Sequence, residues 1–247
     1  MLWKWELTLP IKVQSMQRLR SSTALVFSCV ALSGLQAADD GWTPLFNGKD
    51  TTGWTFTLRP SKDKPSDKPD PKDTWSVKDG VLLCTGKPNG YIATEKEYEN
   101  YQLRLKWRYL KEAKAGNSGV LLHVTGPDVV WPNCVEAQLA SGKAGDIWLN
   151  ADSAKKLPTL KFDSELKDSA NKEGRHFFRK KTDRPVEKDT GEWNQYEIDC
   201  KGGEIILTIN GVVVNEGKEG SLKKGRIALQ SEGTPIEFKE IDWTAKK

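Results

Sequence analysis

Apolar and polar residues alternate with period two along much of this chain, the pattern of strands that bury one face and leave the other polar. Leu103, Leu105, Trp107 and Tyr109 alternate with Arg104, Lys106 and Arg108. Val120, Leu122 and Val124 alternate with Leu121, His123 and Thr125, and Val135, Ala137 and Leu139 alternate with Glu136 and Gln138. Tight-turn signals separate such runs: Asp79-Gly80 within WSVKDGVLLC, Gly202-Gly203 after Ile198 and Cys200, and Asn210-Gly211 before Val212 to Val214. Asn-Gly and Asp-Gly tolerate the positive φ of two-residue hairpins, so they predict antiparallel pairs. Arg226 to Leu229 and Ile236 to Trp243 add two more strands. No segment shows long helical periodicity. Roughly ten or more short strands joined by tight turns predict an all-β fold of two packed antiparallel sheets, with few short helical turns.

Two stretches interrupt the pattern. Residues 59–73, RPSKDKPSDKPDPKD, are charged, Pro-rich and devoid of large apolar groups, which predicts a mobile surface loop. Residues 152–191 are also polar, with LPTLKFDSELKDSA suggesting a helical turn or two. A loop of that length is uncommon without a task, and it could wall a binding site or be a solvated insertion.

Residues 1–37 read as an export signal. Met16-Gln17-Arg18-Leu19-Arg20 supplies a basic start, Ser22 to Leu35 is mostly apolar and small, and Gln36-Ala37-Ala38 offers a cleavage zone. Met16 could equally be the true start. The apolar run is too short to span a bilayer. The expectation is a secreted or periplasmic protein with no membrane attachment after cleavage, whose residues 38–247 form one domain. Four of the 38 Lys and Arg and one of the 34 Asp and Glu lie in the signal, so the mature charge is 34 minus 33, or +1. That near-neutral balance leaves no basic stripe for nucleic acid. Cys84, Cys134 and Cys200 remain, an odd number, so at most one disulfide can form. Cys134 shares the strand face of Glu136, but no catalytic motif surrounds it, and all three cysteines read as structural.

Candidate chemistry sits on the polar strand faces. Glu136, Gln138, His123, Lys106, Arg108 and Gln230 all point away from the apolar side, where a curved sheet would gather them on a concave surface. Sugars are held by such hydrogen-bonding groups on rigid strands, flanked by rings that stack on the pyranose, and Trp131 and Trp148 bracket the Glu136 strand. Solvation alone explains Lys106 and Arg108 equally well, and core packing would explain the two tryptophans. Asp146 reads as a turn residue or a second carboxylate. A divalent cation could sit at His123, Glu136 or Asp146, although the spacing is no recognisable metal motif. Sandwich-fold glucanases place carboxylates on one strand at a spacing like E-x-D-x-x-E. Here the strand runs Glu136-Ala137-Gln138-Leu139-Ala140-Ser141, which lacks the second and third carboxylates and argues against double displacement.

Seven stretches, taken in order, carry a family likeness: GWTPLFNGKDTTGW (41–54), WSVKDGVL (75–82), GNSGVLLHV (116–124), VEAQL (135–139), EWNQYEI (192–198), LTINGVVV (207–214) and GRIALQSEGTPIEFKEIDW (225–243). Through them the chain resembles the 3-keto-disaccharide hydrolase family. The resemblance implies a concanavalin-like jelly-roll β-sandwich acting on oligosaccharides or glycosides oxidised at C3. It further implies a base that removes the acidified C2 proton, with Glu136 as base or acid and His123 as its partner. Asn117, Gln138, Gln230, Lys106, Trp131 and Trp148 would hold the sugar. The chain departs from the family pattern at His123, where Arg is more usual, at Ala140-Ser141, where an Asp usually follows, and in the long 152–191 segment. A carbohydrate-binding sandwich without catalysis is the alternative, and a structural or adhesive sandwich is a third.

Overall fold

A computed structural model describes residues 41–247 apart from 64, 153–155, 163–167, 171–173, 180–181 and 183–184. The chain divides into a unit of residues Met1–Ala38 and one of Asp39–Lys247. The expected export signal therefore lies outside the described residues.

The described chain forms two sheets with antiparallel ladders, a concanavalin-like jelly-roll sandwich. One sheet, the back sheet, runs in the order Lys161–Phe162, Val212–Lys218, Glu204–Ile209, Asn194–Lys201, Tyr101–Tyr109, Ile236–Ala245, Val81–Cys84, Trp75–Lys78. The other, the site sheet, runs Asp168–Ala170, Gly174–Phe177, Ile147–Asn150, Asn133–Gln138, Gly119–Thr125, Lys224–Ser231, Gly90–Thr94, Trp54–Leu58. Helix is confined, among the described residues, to one 3-10 turn at Pro71–Asp73, and no helix there is long and apolar enough to cross a membrane.

The hairpins form where the turn residues demand them. Asp79 and Gly80 take φ of 51° and 78°, and Asn210 and Gly211 take 47° and 79°, the paired left-handed conformation of a two-residue hairpin. Alternation then decides which side chains enter the core. On Tyr101–Tyr109 the odd residues are buried and Arg104, Lys106 and Arg108 are half-exposed. Trp107, Tyr196, Phe238, Leu103 and Leu105 of the back sheet pack in one core with Val120, Leu122, Val135, Ala137 and Leu139 of the site sheet.

The site sheet departs from simple alternation. Every residue of Asn133–Gln138 is buried, including Glu136 and Gln138. A second apolar cluster of Tyr91, Ala93, Leu121, Val124, Cys134 and Ala228 is separate from the main core and covers part of the sheet's other face. Glu136 therefore does not look out onto open water. The long 152–191 segment also differs from expectation, since Lys161–Phe162 joins the back sheet and Asp168–Ala170 and Gly174–Phe177 extend the site sheet. In place of the anticipated helical turns, the described part of LPTLKFDSELKDSA is extended. The 59–73 loop is tied at both ends: Arg59 N–H donates to Asn89 O at 2.8 Å, and Asp70 caps the 3-10 turn. Cys84, Cys134 and Cys200 are all buried free thiols.

Candidate active site

The pocket grows from a cross-strand row. Glu136 pairs with Leu121 on one side and Trp148 on the other, and Trp148 pairs with His176, so these side chains share the sheet face turned away from the main core. Gln138 pairs with Gly119 in the next row. Gln230 enters from the far strand, one residue beyond the Leu229–Val120 pair. Glu136, Gln138, Trp148 and Gln230 floor a cavity of about 440 Å³, walled by Asn117, Trp131, Asn150, Asp152 and Glu232.

Glu136 is 5% exposed, and its Oε2 accepts a 2.7 Å hydrogen bond from Asn150 Nδ2. Burial pushes its carboxyl up to about 8; the charge of Glu232 adds to the shift and the Asn150 bond opposes it. Such a carboxyl is poised near neutral pH to give or take a proton. Gly119 makes the room for it, because a Cβ there would stand 2.5 Å from Glu136 Oε1.

The Gln138 amide has a defined orientation. Gln138 Oε1 accepts from Leu139 N–H at 2.8 Å and from Ala140 N–H at 2.9 Å. Asn117 Oδ1 and Gln230 Oε1 are buried acceptors that meet no donor among the described residues. Such orphaned acceptors cost free energy, and both residues line the cavity. Trp148 supplies the ring. It stacks on His176 with centroids 4.3 Å apart and planes 6° apart, and His176 Nε2–H donates to Asp146 Oδ2 at 2.7 Å. Arg179 N–H donates to the other Asp146 oxygen at 2.8 Å. Trp131 lies on the opposite wall with the Arg59 guanidinium 5.8 Å from its ring centroid.

Residues 41–244 match the 3-keto-alpha-glucoside-1,2-lyase-like domain. The chain belongs to this family. Members are carbohydrate-active, glycosyl hydrolase-like domains. Comparison of this lyase-like domain with curated proteins finds no match. Among solved structures it is similar to a protein of Parabacteroides distasonis ATCC 8503 provisionally named a glycosyl hydrolase. Identity is 24%, covering 84% of this chain and 94% of that one, with a TM-score of 0.56. It is also similar to the carbohydrate-binding module CBM66 of Bacillus subtilis, at 10% identity, 78% and 96% coverage and a TM-score of 0.51. At these identities the likeness establishes the sandwich fold.

Within the lyase-like domain, Glu136, Asn117, Gln138, Gln230, Trp131 and Trp148 share one pocket, and three expected residues, His123, Lys106 and Arg108, do not join them. His123 is the first. The β-ladder slips between Leu122 and Thr125, and His123 adopts a left-handed φ of 54°. This bulge turns its ring into the inter-sheet core, edge-on to Tyr101 at 5.6 Å, away from Glu136. Burial lowers its pKa to about 4, and neither ring nitrogen meets a hydrogen-bond partner of ordinary geometry. Lys106 is the second. It lies on the outer face of the back sheet, paired with Glu240, and Arg108 on the same strand is likewise paired with Glu237, because this strand belongs to the other layer.

The grouping of His123, Glu136 and Asp146 around a cation is likewise not formed, since Asp146 is committed to His176 and Arg179. Among the described residues, no cluster of three or more His, Cys, Asp or Glu has metal-holding geometry. Asp146 is also no mere turn residue, being 2% exposed and hydrogen-bonded on both oxygens.

Sequence reasoning missed Asn150, Asp152, Glu232 and Gly119. Period two could have found three of them. Asn150 follows Trp148 by two positions, Glu232 follows Gln230 by two, and Gly119 precedes Leu121 by two. Glu136 is thus not the only carboxylate of the pocket, which Asp152 and Glu232 also line.

Proposed function

We propose that the pocket binds a glycoside oxidised to a ketone at C3 and that Glu136 moves the proton its cleavage requires. The observation that carries this reading is a buried carboxyl with a pKa near 8, standing in a polar, Trp-walled cavity. A C3 ketone acidifies the C2 proton, so one base of moderate strength suffices. The Glu136 carboxylate takes that proton, and the C2–H electron pair becomes the C2=C3 bond while charge moves to the ketone oxygen. The charge then returns to restore C3=O, the C2=C3 pair shifts to C1=C2, and the C1–O bond breaks. The departing alkoxide collects the proton held by Glu136. No oxidant is consumed, and water adding to the unsaturated ketone would complete hydrolysis.

The Asn117 and Gln230 side chains flank the sugar, and Trp148 stacks on its ring. We also infer that the domain works outside the cytoplasm, on the strength of the residue 1–37 pattern; N-terminal sequencing of the protein from the periplasmic fraction tests this.

The deciding experiment incubates purified protein with a 3-keto-glucoside carrying a chromogenic leaving group and compares Glu136→Gln. The expected loss is about 10²- to 10⁴-fold in kcat/KM, the range for removing a general base. Equal turnover by the variant overturns the role. Glycan binding without cleavage is the second reading, favoured because a Glu136 that is largely protonated at pH 7 can hold a hydroxyl as readily as move a proton. Tight binding of the glycoside with no product from wild type would establish it.

A further inference from the structure

The mechanism above leaves unassigned the group that receives the charge developing on the ketone oxygen. We propose that the Gln138 side-chain N–H is that donor and that it makes the pocket selective for a C3 ketone over a C3 hydroxyl. The inference rests on the reading of the pocket as a 3-keto-sugar site and adds a catalytic group to it.

The orientation of the Gln138 amide is forced. An amide can usually be turned over, exchanging its oxygen and nitrogen, and only the surrounding hydrogen bonds decide. Here they decide strictly. The inner end of the Gln138 amide faces two backbone donors, Leu139 N–H at 2.8 Å and Ala140 N–H at 2.9 Å. Only an oxygen can sit there, since the NH₂ group would put donor against donor. The nitrogen is thereby committed to the other side. It makes no hydrogen bond to a described residue, and it is not sealed among the orphaned buried atoms either. Gln138 lines the cavity, so its free N–H bonds are presented to the ligand space.

The surroundings make this donor distinctive. Asn117 and Gln230 also carry amide N–H groups, but neither oxygen meets a donor that would fix which way its amide faces, and Glu136 acts as acceptor once ionised. Gln138 and Glu136 lie two residues apart on one strand, on the same face, so their side chains project about 7 Å apart at the backbone. That separation lets one reach a C2 proton while the other reaches the adjacent C3 oxygen. Gly119, opposite Gln138 in the ladder, carries no side chain to come between them. The donor is also fixed before the substrate arrives, because its oxygen is anchored to the chain. Such preorganisation is what makes an oxyanion donor effective.

The test uses 1,5-anhydroglucitol oxidised at C3, which has no exocyclic leaving group at C1 and so binds and enolises without losing an aglycone. Its affinity is compared with that of unoxidised 1,5-anhydroglucitol, and exchange of its C2 proton in deuterium oxide is followed by NMR. The informative variant is Gln138→Glu at pH 8.5, which keeps the inner oxygen on both backbone donors and replaces the outer N–H by an acceptor. Gln138→Met, a neutral side chain of similar length, controls for added charge, and thermal unfolding verifies that both fold.

Wild type should bind the ketone at least fivefold more tightly than the alcohol. Both variants should lose that preference and exchange C2 some 10²- to 10³-fold more slowly, as expected for one lost oxyanion donor. If folded Gln138→Glu and Gln138→Met keep the wild-type preference and exchange rate, the inference is overturned. The two readings fail separately. Exchange abolished by Glu136→Gln but untouched by the Gln138 variants removes the donor alone. A ketone preference that depends on Gln138, in a wild type that never exchanges C2, keeps the donor and removes the base.

Discussion

Gly119 lies directly against the carboxylate of Glu136, so closely that a Cβ at 119 would stand 2.5 Å from Oε1, 2.8 Å from Cγ and 3.0 Å from Cδ. The ladder sets this contact, because Gly119 pairs with Gln138 and Leu121 pairs with Glu136 on adjoining strands. The first prediction follows from that geometry. Gly119→Ala should cost about 1–3 kcal/mol in stability through overpacking. It should lower kcat/KM on a 3-keto-glucoside by about 10²-fold, because it displaces the reacting carboxyl by the order of an ångström. Urea unfolding and steady-state kinetics measure the two effects; full activity in a folded variant would show that the carboxyl needs no exact seat.

The raised pKa of Glu136 has a defined sign in stability. Its folded value of about 8 lies above the ordinary 4.5, so the fold holds a proton that the unfolded chain releases. The stability due to that proton is complete below about 4.5 and declines as pH rises towards 8, by a total on the order of 5 kcal/mol. Glu136→Gln carries no charge and escapes the decline. It should therefore gain stability relative to wild type between pH 5 and pH 9, as read by denaturant midpoints across that window. Parallel curves for the two proteins would mean that the carboxyl is not buried as charged.

Catalysis should follow the same group in the opposite sense. As a base Glu136 works only when ionised, so kcat/KM should rise about tenfold per unit of pH and level off above about 8. A rate that instead falls through the same region would assign Glu136 to the acid role.

His123 is predicted to be irrelevant to turnover. It is 1% exposed in the core against Tyr101, with both nitrogens unpartnered. Its pKa falls from 6.5 to about 4 on folding, so it favours the fold above 6.5 and that contribution is lost as pH drops from 6.5 towards 4. His123→Phe should leave kcat/KM within about twofold while abolishing this acid sensitivity, a distinction visible in unfolding curves at pH 4, 5.5 and 7. A large loss of activity at unchanged stability would return His123 to the site.

Trp148 should owe its position to a pair it does not contain. Asp146 holds His176, and His176 stacks on Trp148. His176→Ala should raise KM for the glycoside several-fold with a smaller change in kcat and shift the Trp emission, since the ring loses its support while Glu136 stays in place. Unfolding experiments should show a cost of about 1–3 kcal/mol from the buried Asp146 oxygen left without its donor. An unchanged KM would separate the pair from ligand binding.

Much of this architecture can be read from residue order alone. Period-two runs and the Asp79-Gly80 and Asn210-Gly211 turns are local, because side-chain direction and positive φ depend on neighbours in the chain. They suffice for a two-sheet antiparallel sandwich and for the placing of Glu136 and Gln138 on the face opposite Val135 and Ala137. The tertiary structure decided everything that depends on which strands lie side by side. Lys106 has the same alternation as Glu136 but belongs to the other sheet. His123 obeys the alternation in sequence, yet a single left-handed residue at a bulge reverses it. Period two places Gly119, Asn150 and Glu232 on a sheet face, but which strands bring them to Glu136 is set by strand order and register, which no local pattern encodes. The pKa of Glu136 is the plainest case: the residue type predicts a charged carboxylate, and burial on the cavity floor beside Glu232 makes it a proton carrier near neutral pH.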